Sequence, residues 1–170
     1  MSLIKSISGI RGTIGGTMGD NLTPLDAVKF ASAYGTWLLK RNTSLPSDSP
    51  IKVVLGRDAR ISGKMISSLV ANTLVGLGID VLDLGLSTTP TVEIAVPMES
   101  AHGGIIITAS HNPKQWNALK LLNESGEFLN AEDGQEILTL AEHGDFDFAA
   151  VDDLGAYAKD ASYVQKHVAA

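Results

Sequence analysis

No cysteine occurs in the 170 residues, which removes disulfides, thiol nucleophiles and zinc-thiolate sites together without identifying a compartment. The fold must hold by packing alone. Aromatic residues make up only 5%, and no run approaches the roughly 18 apolar residues that a membrane span requires. The N-terminus also lacks the basic-then-apolar pattern of a signal peptide, so a cytoplasmic protein with no membrane partner is expected. Basic residues are outnumbered, and the formal net charge of −6 argues against nucleic acid, whose binders carry a basic surface. Any anion bound here must meet positive charge gathered locally. With four arginines in the chain, that gathering is easy to look for: Arg11, Arg57 and Arg60 fall in glycine-containing loops after predicted strands, while Arg41 sits at a helix end, where a cation is favoured.

An apolar share of 44% over this length suits one α/β domain. Leu3 to Ile7 reads as a strand followed by the glycine-rich loop SGIRGTIGGTMGD. Thr23, Pro24 and Asp26 mark a helix start with a capping box, and Ala27, Phe30, Ala31, Tyr34, Trp37 and Leu38 recur at helical spacing as far as Arg41. After a polar loop, IKVVLG is a strand, GRDARIS a loop, and Ser62 the expected cap of a helix to about Gly76. IDVLDLG is the next strand. LSTTPT leads into a short helix ending near Pro97, and GGIIITA is the most buried strand. ALKLLN then returns antiparallel beside it, and Asn130 caps a helix to about Glu142. This order predicts a three-layer α/β/α sandwich with a mainly parallel sheet and an antiparallel edge strand.

Such a sheet gathers the loops that follow its parallel strands at one end. Those loops hold Arg11, Arg57, Asp58, Arg60, Ser87, Thr88, Thr89, Ser110, His111 and Asn112. The Ser110-His111-Asn112-Pro113 turn is ordinary turn chemistry by residue type, yet a hydroxyl at the end of a buried central strand, near loop arginines, suits an anionic group on the serine. His111 beside it does not make a Ser-His-Asp triad, and no G-x-S-x-G motif is present. A phosphoserine fits better, since it carries about −1.5 to −2 charge and takes several charge-assisted hydrogen bonds. Arg57 with Asp58 could instead form a local ion pair, and Lys114 and Gln115 are expected to face solvent. Residues 145–170, with acidic punctuation and a break at Gly155, have no following strand to complete another unit.

TASHNP at 108–113, SGIRG at 8–12 and GRDARISG at 56–63 resemble, in identity and order, the signatures of the α-D-phosphohexomutases, the family of phosphoglucomutase, phosphomannomutase and phosphoglucosamine mutase. The resemblance covers nearly the whole chain and the first of that family's four domains. It implies that Ser110 carries and exchanges a phosphoryl group between the 1- and 6-positions of a hexose, with a bisphosphorylated sugar as intermediate. Arg11 then looks like a cation near the phosphoserine, and His111 and Asn112 like loop-shaping and polar site residues. Lys120 looks like the proton-transferring lysine, a role open to a partly desolvated ammonium; Arg57 and Arg60 are expected in the phosphate loop from their place among the loop cations, not from the resemblance. Ala118 stands where the family element before that lysine has glycine. The resemblance also implies Mg2+ held through the phosphate on Ser110, a hexose 1,6-bisphosphate activator and a hexose phosphate substrate. The remaining metal ligands, an aspartate loop, lie outside this chain, and Asp145 and Asp147 are not expected to replace them. Domain I is expected over 1–144, with 145–170 as an interdomain linker and the start of a second domain, packed loosely or against a neighbouring molecule. The fragment alone is expected not to turn over a hexose phosphate. A noncatalytic sugar-phosphate or anion-binding module of the same fold, or a phosphorylated interaction domain, is the alternative.

Overall fold

The computed structural model describes all residues, Met1–Ala170. The chain builds strands β1 (Ile4–Ser6), β2 (Gly9–Thr13), β3 (Lys52–Arg57), β4 (Asp80–Leu86), β5 (Gly103–Ile107), β6 (Trp116–Leu122) and β7 (Tyr157–Lys159). Helices are α1 (Pro24–Arg41), α2 (Gly63–Gly76), α3 (Thr89–Met98), α4 (Ala131–His143) and α5 (Tyr163–Ala169). One sheet holds every strand, in the order β1-β2-β6-β5-β3-β4-β7. Pairing is parallel from β5 through β3 and β4 to β7, and antiparallel across β5-β6, β6-β2 and β2-β1. No helix is long and apolar enough to cross a membrane.

The helix ends follow local chemistry. Thr23 and Asp26 form the full capping box of α1, with Pro24 in the first turn. Thr88 and Asn130 accept the N–H of Thr91 and Asp133 at the starts of α3 and α4. Ser62 makes no cap bond to α2. Its hydroxyl instead accepts from the Asn117 amide at 2.8 Å, a tertiary bond that outcompetes the local one.

Helices α1, α2 and α4 cover one face of the sheet, where Phe30, Tyr34, Trp37, Ile66, Leu74, Ile105, Leu119 and Ile137 are buried together. Each large side chain so buried contributes on the order of 1.5–3 kcal/mol. Tyr34 is polar at its tip, and that tip is satisfied by donating to the Leu122 carbonyl at 2.7 Å; burial pushes its phenol far above the ordinary value. The opposite face carries α3 and α5 over Val54, Leu84, Ile106 and Leu122. This is the expected three-layer sandwich.

Two further sequence expectations fail here. The glycine-rich segment after the first strand is partly a strand itself: β2 forms a hairpin with β1 and pairs along β6. Gly9 permits the approach, because a Cβ there would lie 2.2 Å from the Leu119 carbonyl oxygen. Arg11 is therefore on a strand and not in a loop. The tail also fails to pack loosely. β7 joins β4 in parallel, and Tyr163 is only 1% exposed beneath α3, its hydroxyl donating to Glu99 at 2.9 Å. Gly155 is where the tail presses on the body, since a Cβ would meet the Ile79 carbonyl oxygen at 1.9 Å.

Candidate active site

Register decides what each face of the sheet displays. Ile106 pairs with Lys120, and Thr108 donates its N–H to Ala118. Arg11 in turn pairs with Ala118, and Gly9 with Lys120. Partners in a sheet share a face and neighbours along a strand alternate, so Arg11, Ala118, Lys120 and Ile106 point to the α3 side. Leu119 and Leu121, flanking Lys120, are fully buried on the other. Neither α3 nor α5 reaches β2 and the adjoining stretch of β6, and a groove of about 360 Å³ is left there, with Ser6, Ser8, Arg11, Ala118, Lys120 and Phe128 among its walls.

Ser110 stands just past the end of β5, next to this groove in the sheet order. Its φ is +53°, a left-handed conformation that costs a non-glycine residue of order 1 kcal/mol or more. Something has to hold it, and Arg60 does. The guanidinium donates from Nη2 to the carbonyls of Ser110 and Asn112 at 2.7 and 2.8 Å, and from Nη1 to those of Pro113 and Trp116 at 2.9 and 3.1 Å. Its Nε donates to Asp58 at 3.2 Å. Every N–H that an arginine possesses is thus engaged. The Asp58 carboxylate also accepts from the Thr108 hydroxyl at 2.6 Å, and Thr108 in turn accepts the Ser110 N–H at 3.2 Å. Asp58, Arg60 and Thr108 form a clamp under the serine loop.

The serine hydroxyl itself remains open. Its one side-chain partner is His111 Nδ1 at 3.4 Å, a long contact at an exposed position. Asn112 sits in the same loop, held through its carbonyl and not its amide. Lys114 and Gln115 face solvent as expected.

The expected convergence is therefore divided. The structure places Ser110, His111 and Asn112 at the strand end, and Arg11 and Lys120 in the neighbouring groove. Arg60 lies beneath the loop with no donor left for a phosphate. Arg57 lies on the opposite face: it pairs with Ile107, which belongs to the α1/α2 core, and its side chain runs beside Gly63 at the start of α2. The ion pair of Asp58 is with Arg60, because the Arg57 guanidinium reaches only the Asp58 carbonyl. Sequence reasoning missed Thr108 as a clamp member and buried Asn117 as the tie to Ser62; both flank the serine loop in sequence, which is the only signal they give. No cluster of three His, Asp or Glu side chains able to hold a metal is present.

Residues 3–148 match the family Phosphoglucomutase/phosphomannomutase, alpha/beta/alpha domain I. A phosphoglucomutase/phosphomannomutase of Thermococcus kodakarensis is 36% identical over 151 residues, covering 88% of this chain and 32% of its own length. A phosphoglucosamine mutase of Ligilactobacillus salivarius is 38% identical over 127 residues, covering 75% of this chain and 27% of its own. The chain thus spans about a third of the length of the curated relatives it matches. A solved structure of a phosphomannomutase-like protein from Thermus thermophilus superposes with a TM-score of 0.76 at 27% identity, over 95% of this chain and 34% of that one. A phosphoglucomutase/phosphomannomutase family protein from Burkholderia thailandensis, at 22% identity and a TM-score of 0.75 over 98% of this chain and 35% of its own, shares the fold. With the match running through nearly all the strands and helices described, the chain belongs to the phosphoglucomutase/phosphomannomutase family and carries its alpha/beta/alpha domain I.

Proposed function

We propose that Ser110 is the phosphoryl carrier of a phosphohexomutase that interconverts hexose 1-phosphate and hexose 6-phosphate through a bisphosphorylated sugar, acting in the cytoplasm as part of a longer chain. The observation that carries this reading is the clamp. An arginine spends all its donors on holding a strained loop whose serine hydroxyl is left without a strong protein partner.

In the forward half-reaction, a sugar hydroxyl oxygen attacks the phosphorus of phosphorylated Ser110. The new P–O bond forms as the bond to Ser110 Oγ breaks. Lys120 accepts the proton of the attacking hydroxyl, and His111, 3.4 Å from Oγ, supplies a proton to the departing serine oxygen. The return half-reaction reverses each transfer at the other end of the reoriented sugar bisphosphate. Arg11 stabilises charge spread over the phosphoryl oxygens, a contribution that dominates phosphoryl transfer. Asn112 offers an amide to the same group. The groove holding Arg11 and Lys120, beside the Ser110 loop, is where the sugar ring lies.

The phosphate on Ser110 would hold a magnesium ion, whose positive charge would offset that of the phosphoryl oxygens. This chain offers it only the phosphate on Ser110, since its own carboxylates form no metal cluster, so the other ligands belong to the rest of the parent chain. Residues 145–170 are the proposed connection to that remainder, and a hexose 1,6-bisphosphate is the proposed activator. Alone, the domain binds and loses phosphate without turnover, because positioning of donor, acceptor and metal is incomplete.

Exposure of the chain to glucose 1,6-bisphosphate and magnesium, followed by intact-mass measurement and peptide mapping, tests the assignment. One phosphate on Ser110, absent in Ser110→Ala and acquired about 100-fold more slowly in Lys120→Met, is expected. Sugar-phosphate binding with no transfer would mark a binding module instead.

A further inference from the structure

A second concave site lies on the other face of the sheet, and phosphoryl transfer at Ser110 makes no use of it. A cavity of about 340 Å³ opens between the first turns of α2 and the edge made by β4 and β7, lined by Arg57, Lys64, Ser67, Asp83, Tyr157 and Lys159 with smaller neighbours. Register explains the grouping. Val81 and Asp83 of β4 pair with Tyr157 and Lys159 of β7, and Val81 belongs to the core beneath α1 and α2, so all of them face α2.

Three cations and one carboxylate meet in this cavity, within a chain whose formal charge is −6. The ion pairs of the protein involve Arg41, Lys52, Arg60 and Lys166 and leave Arg57, Lys64 and Lys159 without a carboxylate partner. Asp83 does not serve them. One of its oxygens accepts the Tyr157 hydroxyl at 2.5 Å and the other the Gly85 N–H at 2.8 Å. Burial and then that carboxylate push the Tyr157 phenol up to about 12, so it stays protonated and committed to Asp83.

The independent observation is Ser67. This residue is 4% exposed and forms part of the cavity wall, yet its hydroxyl is paired with no protein group, unlike those of Thr73 and Ser32 on buried helix faces, which donate to the carbonyl four residues back. With no protein acceptor, the Ser67 hydroxyl is free to donate to a ligand in the cavity it lines. Guanidinium, two ammoniums and a hydroxyl converging from different walls can all donate. They suit a tetrahedral oxyanion with several acceptor oxygens better than a planar carboxylate with two.

We propose that this cavity binds a phosphate group, free or carried on a small metabolite, independently of Ser110. Lys64 and Ser67 hold it from α2, Arg57 from the end of β3, and Lys159 from the tail. Its volume is at the lower end for small-molecule sites, enough for phosphate with a short substituent. Because Lys159 lies on β7, whose pairing with β4 extends over only Tyr157 to Lys159, a bound phosphate ties the tail to the body of the domain.

Titration of the isotopically labelled chain with inorganic phosphate at fixed ionic strength, read by amide chemical shifts, tests the proposal. Saturable shifts are expected at residues 64–71 and 157–161, with binding weakened about tenfold by Lys64→Gln or Lys159→Gln and largely retained in Lys159→Arg. Ser67→Ala should weaken it by a smaller factor, and Ser110→Ala should leave it unchanged. A parallel titration with glucose 6-phosphate separates the sources: tighter saturation of the same residues identifies an ester as ligand, and weaker saturation identifies free phosphate. Shifts that fail to saturate, that centre on residues 108–120, or that survive both lysine substitutions would overturn it. Since Ser110→Ala leaves the expected result intact, failure of this site and failure of the Ser110 assignment are separately visible.

Discussion

The two faces of the sheet are unequally covered. On one, three helices seal a core of 26 buried residues that runs from α4 across to α2. On the other, α3 and α5 gather only nine, centred on β3, β5 and β4, and leave β2 and part of β6 uncovered. Lys120 sits between two fully buried leucines in β6, which is possible because alternate residues of that strand meet a closed face and an open one. A lysine interrupts an apolar run where the covering layer stops. The same reasoning places Arg11 beside it and sends Arg57 away, since Arg57 belongs to the closed face and emerges only past the end of the core.

The contrast can be broken most severely on the closed face. Trp37→Ala removes a ring stacked on Tyr34 and bonded to Glu136; a loss of about 3–5 kcal/mol is expected from the urea midpoint. Arg60→Lys comes next. It keeps the charge but gives up the fork that holds four carbonyls, and about 2–4 kcal/mol is expected, together with loss of phosphate acceptance at Ser110. On the sparser face, Tyr163→Ala should cost about 1–2 kcal/mol, because α5 can undock locally before the domain unfolds. Lys120→Met, in the open groove, should alter stability by less than about 0.5 kcal/mol while slowing phosphate acquisition at Ser110 by about 100-fold. Equal losses of stability from Trp37→Ala and Tyr163→Ala would erase the distinction between the faces.

The smallest expected effect is a pH dependence at His102. Burial lowers its pKa below the ordinary value, and Nδ1 accepts the Lys52 N–H at 3.1 Å, a bond the protonated ring gives up. The folded state therefore binds this proton less readily than the unfolded one. Stability from the neutral ring is complete above about pH 6.5 and declines as pH falls from there through the lowered folded pKa. Urea midpoints of the wild type and His102→Gln at pH 8 and pH 5 measure it; a steeper loss in the wild type is expected.

Hydrophobic spacing and caps made α1, β3, α2, β4, β5 and α4 legible, because each follows from local pattern. β2 was hidden by its glycines, which read as a loop although Gly9 is what lets the strand approach Leu119. β7 was hidden by its length and by an edge position that leaves it exposed. At the site, Ser110 stood out by its place after a buried strand, whereas the role of Arg60 did not: contacts to backbone carbonyls leave no trace in residue identity at the receiving end. Assigning both Arg57 and Arg60 to phosphate came from counting loop cations, and register is what separates them.

The most direct test is the ionisation of a phosphoserine installed at position 110, followed by phosphorus NMR against pH. Its second pKa is about 6 without neighbours, and nearby cations lower it by favouring the dianion. If the open groove is the site, Arg11→Gln and Lys120→Gln should each raise that pKa, by about half a unit or more, while Arg57→Gln on the opposite face leaves it unchanged. A rise in Arg57→Gln with none in Arg11→Gln or Lys120→Gln would contradict the placement of the catalytic site on the uncovered face.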